Sequence, residues 1–322
     1  MANHHELSAS VETVHWGYFD AALAPLVVVE SGDTITIQTV SGAPEYMPDP
    51  PLVVPAELQQ IHSTLQPELG PHILTGPVAV DGAEPGDRLD IEILDIHLDV
   101  DWGWNTHKPA LAALSDVADP WTRHLEIDRE KMRAMLPWGG VIPLQPFFGV
   151  LATAPPPAMG RVSSKPPDFF GGNMDNKELG VGSVVSLPVH TAGALFSVGD
   201  GHAAQGDGEV DLTALETCMT GTFELRLVKQ QPLSTPRAVT PTHYITHGFD
   251  PDLNLAAEHA LRDMIDWLGT RADLSAADAY LLCSLACDLH VTQVVNATKG
   301  VHAMVLREIV DQYPRRETDT AP

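Results

Sequence analysis

The chain has 322 residues, 44% of them hydrophobic, enough apolar material for one large core or for two packed together. Its 43 acidic against 18 basic residues leave a formal net charge of -25, which repels nucleic-acid phosphates and anionic lipid and argues against either as a partner. The longest apolar stretches, residues 25–29 and 280–285, fall far short of the ~20 residues a membrane helix needs, so no span is expected.

Residues 1–10 show no basic region followed by an apolar run and do not read as a secretory signal. Cys218, Cys283 and Cys287 are an odd and sparse set, so a disulfide framework is not expected and a reducing cytoplasm is. His4 and His5 are read as part of a disordered terminus.

Residues 26–30 run into Ser31-Gly32-Asp33 and then an alternating stretch, 34–40, which predicts strand, tight turn, strand. Glu84-Pro85-Gly86-Asp87 precedes a second alternation, in which Leu89, Ile91 and Ile93 face one side and Arg88, Asp90 and Glu92 the other. That predicts a half-buried antiparallel strand. Residues 184–187, after Gly180-Val181-Gly182-Ser183, and residues 222–227 repeat the pattern. Prolines concentrate in residues 44–55 and 155–167, loops long enough for lids or crossovers. Within 101–137, a short helix is placed at 127–136.

The character changes after Pro241. Asp250-Pro251 is read as a capping carboxylate with proline at the first helical position, followed by Ala257, Leu261, Met264, Ile265 and Leu268 at helical spacing. Ser275 opens a second helix carrying Tyr280, Leu281, Cys283, Leu285 and Leu289, and a third is placed at 301–310. The expected fold is therefore mainly β with an α/β C-terminal portion. Residues 1–240 form the β-rich catalytic body, and residues 241–322 form helical C-terminal elements packed on it.

Two stretches carry chemistry. Gly171-Gly172-Asn173-Met174-Asp175-Asn176-Lys177 offers an amide, a carboxylate and an amine in a turn-rich setting. Asp200-Gly201-His202-Ala203-Ala204-Gln205-Gly206-Asp207-Gly208-Glu209-Val210-Asp211 holds four carboxylates and one imidazole among glycines that let the backbone approach a ligand closely. Carboxylate and neutral imidazole are ligands for hard or borderline divalent ions. Asp200 and His202, two apart on an extended segment, point to one side. On composition alone a polar turn with solvated acids reads equally well. The spacing is not that of a calcium helix-loop-helix, and no Gly-Lys-Ser/Thr follows to cradle phosphate.

Several blocks resemble the acetamidase/formamidase family. They are His72-Ile73-Leu74-Thr75-Gly76-Pro77 with Gly82-Ala83-Glu84-Pro85-Gly86-Asp87; Pro146-Phe147-Phe148-Gly149-Val150; residues 171–179; and residues 193–210. His15-Trp16-Gly17-Tyr18-Phe19-Asp20 and Thr292-Gln293-Val294-Val295-Asn296 fit as well, so the likeness runs over nearly the whole chain. The resemblance implies hydrolysis of short amides to carboxylate and ammonia. It implies a fold of β-sandwich and barrel-like parts with a smaller α/β element. It further implies a bound divalent metal, zinc foremost, and a homo-oligomer built on dimers.

On that reading Asp175, Asp200 and His202 hold the metal, and His72, lying in a matched block, is a further ligand. Glu209 or Asp207 handles the proton, with Glu216 behind them. Asn173, Lys177 or N–H groups of the glycine turns stabilise the oxyanion. Two departures bear on substrate. Phe169-Phe170 stands before Gly171-Gly172-Asn173 where many members carry His, and His190-Thr191-Ala192 follows Leu187-Pro188-Val189 where many read Phe or Trp then Val. An apolar wall from Phe169 or Phe170 is expected to favour a longer or cyclic amide over formamide.

Rival readings remain: lactam or other cyclic-amide hydrolysis on the same site, and a non-catalytic metal-containing binding protein. Ser163-Ser164-Lys165 matches a Ser-Ser-Lys amidase by letter only. Cys218 reads as a strand residue entering the core, not as a nitrilase-type nucleophile. Cys283 and Cys287, four apart, are expected to pack on an apolar helix. His97, His107, His124, His243, His247, His259, His290 and His302 read as surface or structural.

Overall fold

A computed structural model describes residues 2–314. Most of it is β, in two large sheets. The nine-stranded sheet runs, in spatial order, His4–Leu7, Asp33–Thr39, Met219–Val228, Arg88–Leu98, Val184–Pro188, Arg237–Val239, His243–Asp250, Lys299–Leu306 and Cys287–Gln293. The twelve-stranded sheet is centred on Phe196–Ala204, which pairs with Phe147–Ala152, Leu215–Glu216 and Ile73–Val80. Neither path closes on itself to make a barrel. The two sheets share a core in which Phe223 of one lies 5.4 Å from Phe148 and 5.8 Å from Phe196 of the other, ring centre to ring centre.

Alternation predicts the strands well in the body, with one instructive difference. Arg88 and Asp90 do not face solvent. They form a buried two-pronged ion pair at 2.8 and 2.9 Å, with Ser186 Oγ–H donating to Asp90 at 2.6 Å. The sheet is covered on both faces there, so the polar side of the strand needs its own partners. His4 and His5 are ordered in an edge strand, and His5 meets Asp33 at 2.9 Å. The helix placed at 127–136 is instead strand: Trp121–Asp128 turns back as Arg133–Met135. Helix Ala56–Thr64 carried no strong sequence signal.

The C-terminal portion is less helical than its spacing suggests. Helix Leu253–Arg271 is present, but its N-cap is Asp252, whose carboxylate accepts from Asn254 and Leu255 N–H at 2.8 and 3.3 Å. The helix capped by Ser275 ends at Ala286, and Cys287 opens a strand, so the two cysteines lie on different elements. Residues 299–306 are strand, with a single helical turn, Arg307–Val310, after them. Strand Lys299–Leu306 pairs with His243–Asp250 along its whole length, and such ladder hydrogen bonds override a weak local helical pattern. No helix of the described residues is long and apolar enough to cross a membrane.

Candidate active site

The site lies where neighbouring strands place polar residues side by side. His202 on the central strand pairs in register with Glu216, and Glu216 with Trp104 of strand Trp102–His107. One cross-strand row therefore carries imidazole, carboxylate and indole together. Asp200 enters through a left-handed residue, φ 61°, and Asp175 and Glu209 also have positive φ, 51° and 46°. A non-glycine residue there carries strain, which is retained where the surroundings fix it and which gathers at functional sites. Asp200 and His202 do converge, as two residues on one strand with a single residue between them are expected to, with Asp200 held in the left-handed region.

The result is a buried cluster. His202 Nε2 lies 3.1 Å from Glu216 Oε1, 3.2 Å from Asp200 Oδ2 and 3.9 Å from Asp175 Oδ1, yet it makes no aligned hydrogen bond with any of them. Asp175 Oδ1 and Glu209 Oε2 are likewise buried without a hydrogen-bond partner. Gly149 sits level with Asp200 on the adjacent strand. A Cβ there would fall 2.5 Å from both Asp175 Oδ1 and Asp200 Oδ2. Unpartnered donor atoms converging on a space kept clear by a glycine fit a cation. Asp175, Asp200 and His202 form one group able to hold it, and His202, Glu209 and Glu216 another. His202 Nδ1 is taken by Gln205, so its single remaining nitrogen can serve one ion, and the two groups are alternatives.

Charge within the cluster is uneven. Burial pushes the Asp175 carboxyl up to about 7 against the pull of His202, and pushes Glu216 up to about 8. Glu209 is raised well above the carboxylate range, again by burial. Burial would raise Asp200 too, but the His72 and His202 imidazoles hold it below its ordinary value. His202 would be lowered by burial; Glu216 and Asp200 beside it raise it instead. The four carboxyls packed this way repel one another, the single His202 offsets only part of that, and a cation relieves the rest.

The surrounding residues fix the donors. Gln205 Oε1 accepts from His202 Nδ1–H at 2.9 Å, and Gln205 Nε2 donates to the Asp175 carbonyl at 2.7 Å, so one side chain orients two of the donors. Asn296 Nδ2 donates to Asp175 Oδ2 at 2.5 Å. His72 Nδ1 meets Ser164 Oγ at 3.0 Å and its Nε2 stands 3.7 Å from Asp200, beside the cluster but in neither metal-holding group. Gly149, Gln205 and Asn296 had no role assigned from sequence. Their signal was their place in the family-like blocks.

Over the cluster opens a cavity of about 250 Å³, lined at its floor by Asp200, Glu209, Glu216, His72, Asn173 and Asn296. Asp207 and Lys177 stay outside it: they pair with each other at 2.9 Å, and Asp207 also meets His290 at 2.9 Å. Phe170 is buried in a cluster with Phe19, Leu74 and Val150, and Phe169 packs its edge on His190 at 4.9 Å; neither ring lines this cavity. The apolar wall comes instead from Trp104, Tyr46, Ile73 and Leu111. Cys218 is buried and burial pushes its thiol up to about 12, unsuited to a nucleophile. Ser164, fully buried, does not line the cavity either.

Fold and site together define a β-rich protein with a buried carboxylate–imidazole centre beneath a half-apolar cavity. Its sequence matches the acetamidase/formamidase family over residues 19–165 and 160–312, and the chain belongs to that family. It is 29% identical over 235 residues to a formamidase of Methylophilus methylotrophus, covering 53% of this chain and 57% of that protein. It is 26% identical over 241 residues to an acetamidase of Mycolicibacterium smegmatis, covering 53% and 59%. The chain thus aligns with little more than half the length of these relatives. Among solved structures, an acetamidase from Bacillus halodurans superposes with a TM-score of 0.83 at 31% identity, over 96% of this chain and 99% of that one. A γ-lactamase from Delftia acidovorans, at 22% identity and TM-score 0.63, shares the fold.

Proposed function

We propose that the chain hydrolyses the C–N bond of small amides to carboxylate and ammonia, with a divalent cation, zinc by its mixed imidazole and carboxylate donors, held by Asp175, Asp200 and His202. The observation that carries this reading is His202 Nε2, buried and unpartnered against three carboxylates, two of which, Asp200 and Glu216, line a cavity, in a member of this family. His72, the further ligand read from the sequence, stands 3.7 Å from Asp200 and outside this group, so its part is to steady that carboxylate. Bound there, the ion supplies Lewis acidity that polarises a carbonyl and acidifies water.

The chain's own groups do the rest. Glu209 Oε2 has no partner, and the residue lines the cavity, so it takes the proton from attacking water and returns it to the leaving nitrogen. Both Glu216 oxygens are engaged, Oε1 by Ala214 N–H at 3.2 Å and Oε2 by Ser41 Oγ–H at 3.4 Å, which suits a fixed anion more than a proton carrier. Asn173 Nδ2 donates to the Lys165 carbonyl at 3.1 Å, leaving Oδ1 free to accept from the substrate amide N–H. That is an orienting role, in place of the oxyanion role read from sequence. Trp104 and Tyr46 keep bulk water from the reacting end.

The test is ammonia release from formamide and acetamide, with the metal content of the same preparation measured by elemental analysis. Exhaustive chelation is expected to abolish release and zinc to restore it. Full activity in metal-free protein overturns the cation's part. No ammonia from any amide by the zinc-loaded protein overturns the hydrolase reading and leaves a binding protein.

A further inference from the structure

The cavity is larger and differently furnished than formamide or acetamide requires. At ~30 Å³ per water-sized group, 250 Å³ holds about eight such groups, whereas acetamide has four non-hydrogen atoms. Part of the lining carries the carboxylates. Alongside them is a flat wall: Tyr46 and Trp104 stack at 4.4 Å between ring centres, 14° apart, and Ile73 and Leu111 also line the cavity. Such a wall gains nothing from a formyl hydrogen and rewards a carbon chain laid along it.

Two lysines complete the lining. In a chain with 43 acidic and 18 basic residues, a cation ordinarily finds a carboxylate. Lys131, Lys177 and Lys229 do so at 3.3, 2.9 and 2.7 Å. Lys108, Lys165 and Lys299 have no carboxylate partner among the described residues, and two of these three, Lys108 and Lys165, line this one cavity. Lys108 Nζ donates to the Tyr46 hydroxyl and lies 5.0 Å from the centre of that ring. Trp104 Nε1, buried on the same wall, has no acceptor at all. A half-buried ammonium and an unpartnered indole N–H on one wall of the cavity are both donors awaiting an acceptor. Lys165 stands nearer the reaction, where its charge bears on His72.

We propose that the substrate is an amide whose carbon chain ends in a carboxylate, the monoamide of a dicarboxylic acid, with the chain along Tyr46 and Trp104 and the carboxylate received by Lys108. The proposal rests on the amide-hydrolase reading above. It explains why an acidic protein keeps cations unpaired at one opening: the carboxylate cluster would otherwise repel this substrate.

The experiment compares succinamate with 4-methylpentanamide, in which an isopropyl group replaces the carboxylate at the same length. Succinamate is expected to be preferred in kcat/KM by about tenfold or more. Lys108→Met should bring that ratio to about one, and Lys108→Arg should restore it. Equal kcat/KM for the two amides in the wild type, or a ratio unmoved by Lys108→Met, overturns the proposal. Calorimetric titration of the Glu209→Gln protein with both amides separates this outcome from failure of the hydrolase reading. Tighter binding of succinamate, lost on adding Lys108→Met, supports the carboxylate site even where no amide is cleaved; equal affinities overturn it.

Discussion

Two regions of the molecule contain a glycine with no room beside it, and they use it for opposite ends. At Gly248, on strand His243–Asp250, a Cβ would lie 2.0 Å from the Ala256 carbonyl and 2.4 Å from Ala260 N, because helix Leu253–Arg271 is packed directly on the strand. There the space is filled by backbone: Thr246 Oγ–H donates to the Ala260 carbonyl at 2.7 Å, and Met264, Leu268 and Val305 are buried. At Gly149 the space faces carboxylate oxygens, and the surroundings are strained and incompletely paired. One region has spent its freedom on stability and the other holds it for a ligand.

The comparison is broken if substitutions in both regions fail in the same way. Gly149→Ala is expected to lower amide turnover by ~10²–10⁴-fold and to weaken zinc binding, because the new methyl group occupies the space between Asp175 and Asp200. The chelated variant should melt within about 4 °C of the chelated wild type. Asp175→Asn should act similarly, since Asn tolerates the left-handed backbone but is a poorer ligand. Turnover kinetics beside thermal melting check both, and a Gly149→Ala protein with full activity refutes the placement of the ion.

Gly248→Ala should do the reverse. Overpacking against the helix backbone is expected to cost about 3 kcal/mol, with lower soluble yield and Tm, while turnover per folded molecule stays near the wild-type value. Denaturant midpoints and active-site titration of the surviving fraction measure the two quantities separately.

The pH dependence of stability sharpens the contrast, because the two regions tilt it in opposite directions. Burial lowers His247 from 6.5 to about 4, with its Nδ1–H donating to the Pro236 carbonyl and its Nε2 accepting from Asn176. Between pH 6.5 and 4 the unfolded chain binds a proton that the folded chain refuses, so stability falls as pH drops. Glu216 is raised from 4.5 to about 8. Between pH 4.5 and 8 the folded, cation-free chain holds a proton that the unfolded chain has lost, so stability falls as pH rises. Urea midpoints of the chelated protein across pH 4 to 8 should therefore pass through a maximum. Glu216→Gln should make the upper limb shallower, with Asp175 and Glu209 keeping part of it, and His247→Gln should make the lower limb shallower, with His15 and His302 keeping part of that. A wild-type profile with no upper limb contradicts the charge balance assigned to the cluster.

How much of this was legible beforehand follows from how local each feature is. Asp200, His202 and Glu209 lie within one strand and turn, and the residues around them match a family block, so the centre was readable. Asp207 was grouped with them because it is two residues from Glu209. Gly208 at φ 96° and Glu209 at φ 46° break the alternation, and Asp207 turns outward to Lys177. Tyr46 and Trp104 come from a proline-rich loop and a strand far apart in sequence, and only the packing of the loop on the sheet brings them together. Nothing local marks such a wall. The start of strand Cys287–Gln293, as far as Leu289, and most of strand Lys299–Leu306 were read as helix because residues 281–289 and 301–310 space their apolar residues ambiguously, and pairing decided against it.

The smallest effect tests a boundary in the stable region. From sequence, Asp250-Pro251 looked like the helix cap, because a carboxylate before proline is a common opening. In the structure Asp250 Oδ1 accepts from Asp252 N–H at 2.8 Å, and Asp252 in turn receives the free N–H groups of Asn254 and Leu255. Only Asp252 therefore answers the unpaired donors at the start of helix Leu253–Arg271. Asp252→Ala is expected to cost about 1 kcal/mol. Asp250→Ala, which loses one hydrogen bond in an exposed turn, should cost about half as much or less. Neither should alter turnover, since neither residue lines the cavity above the carboxylate cluster. The two denaturant midpoints decide it: a larger loss for Asp250→Ala would return the cap to where the sequence first suggested it.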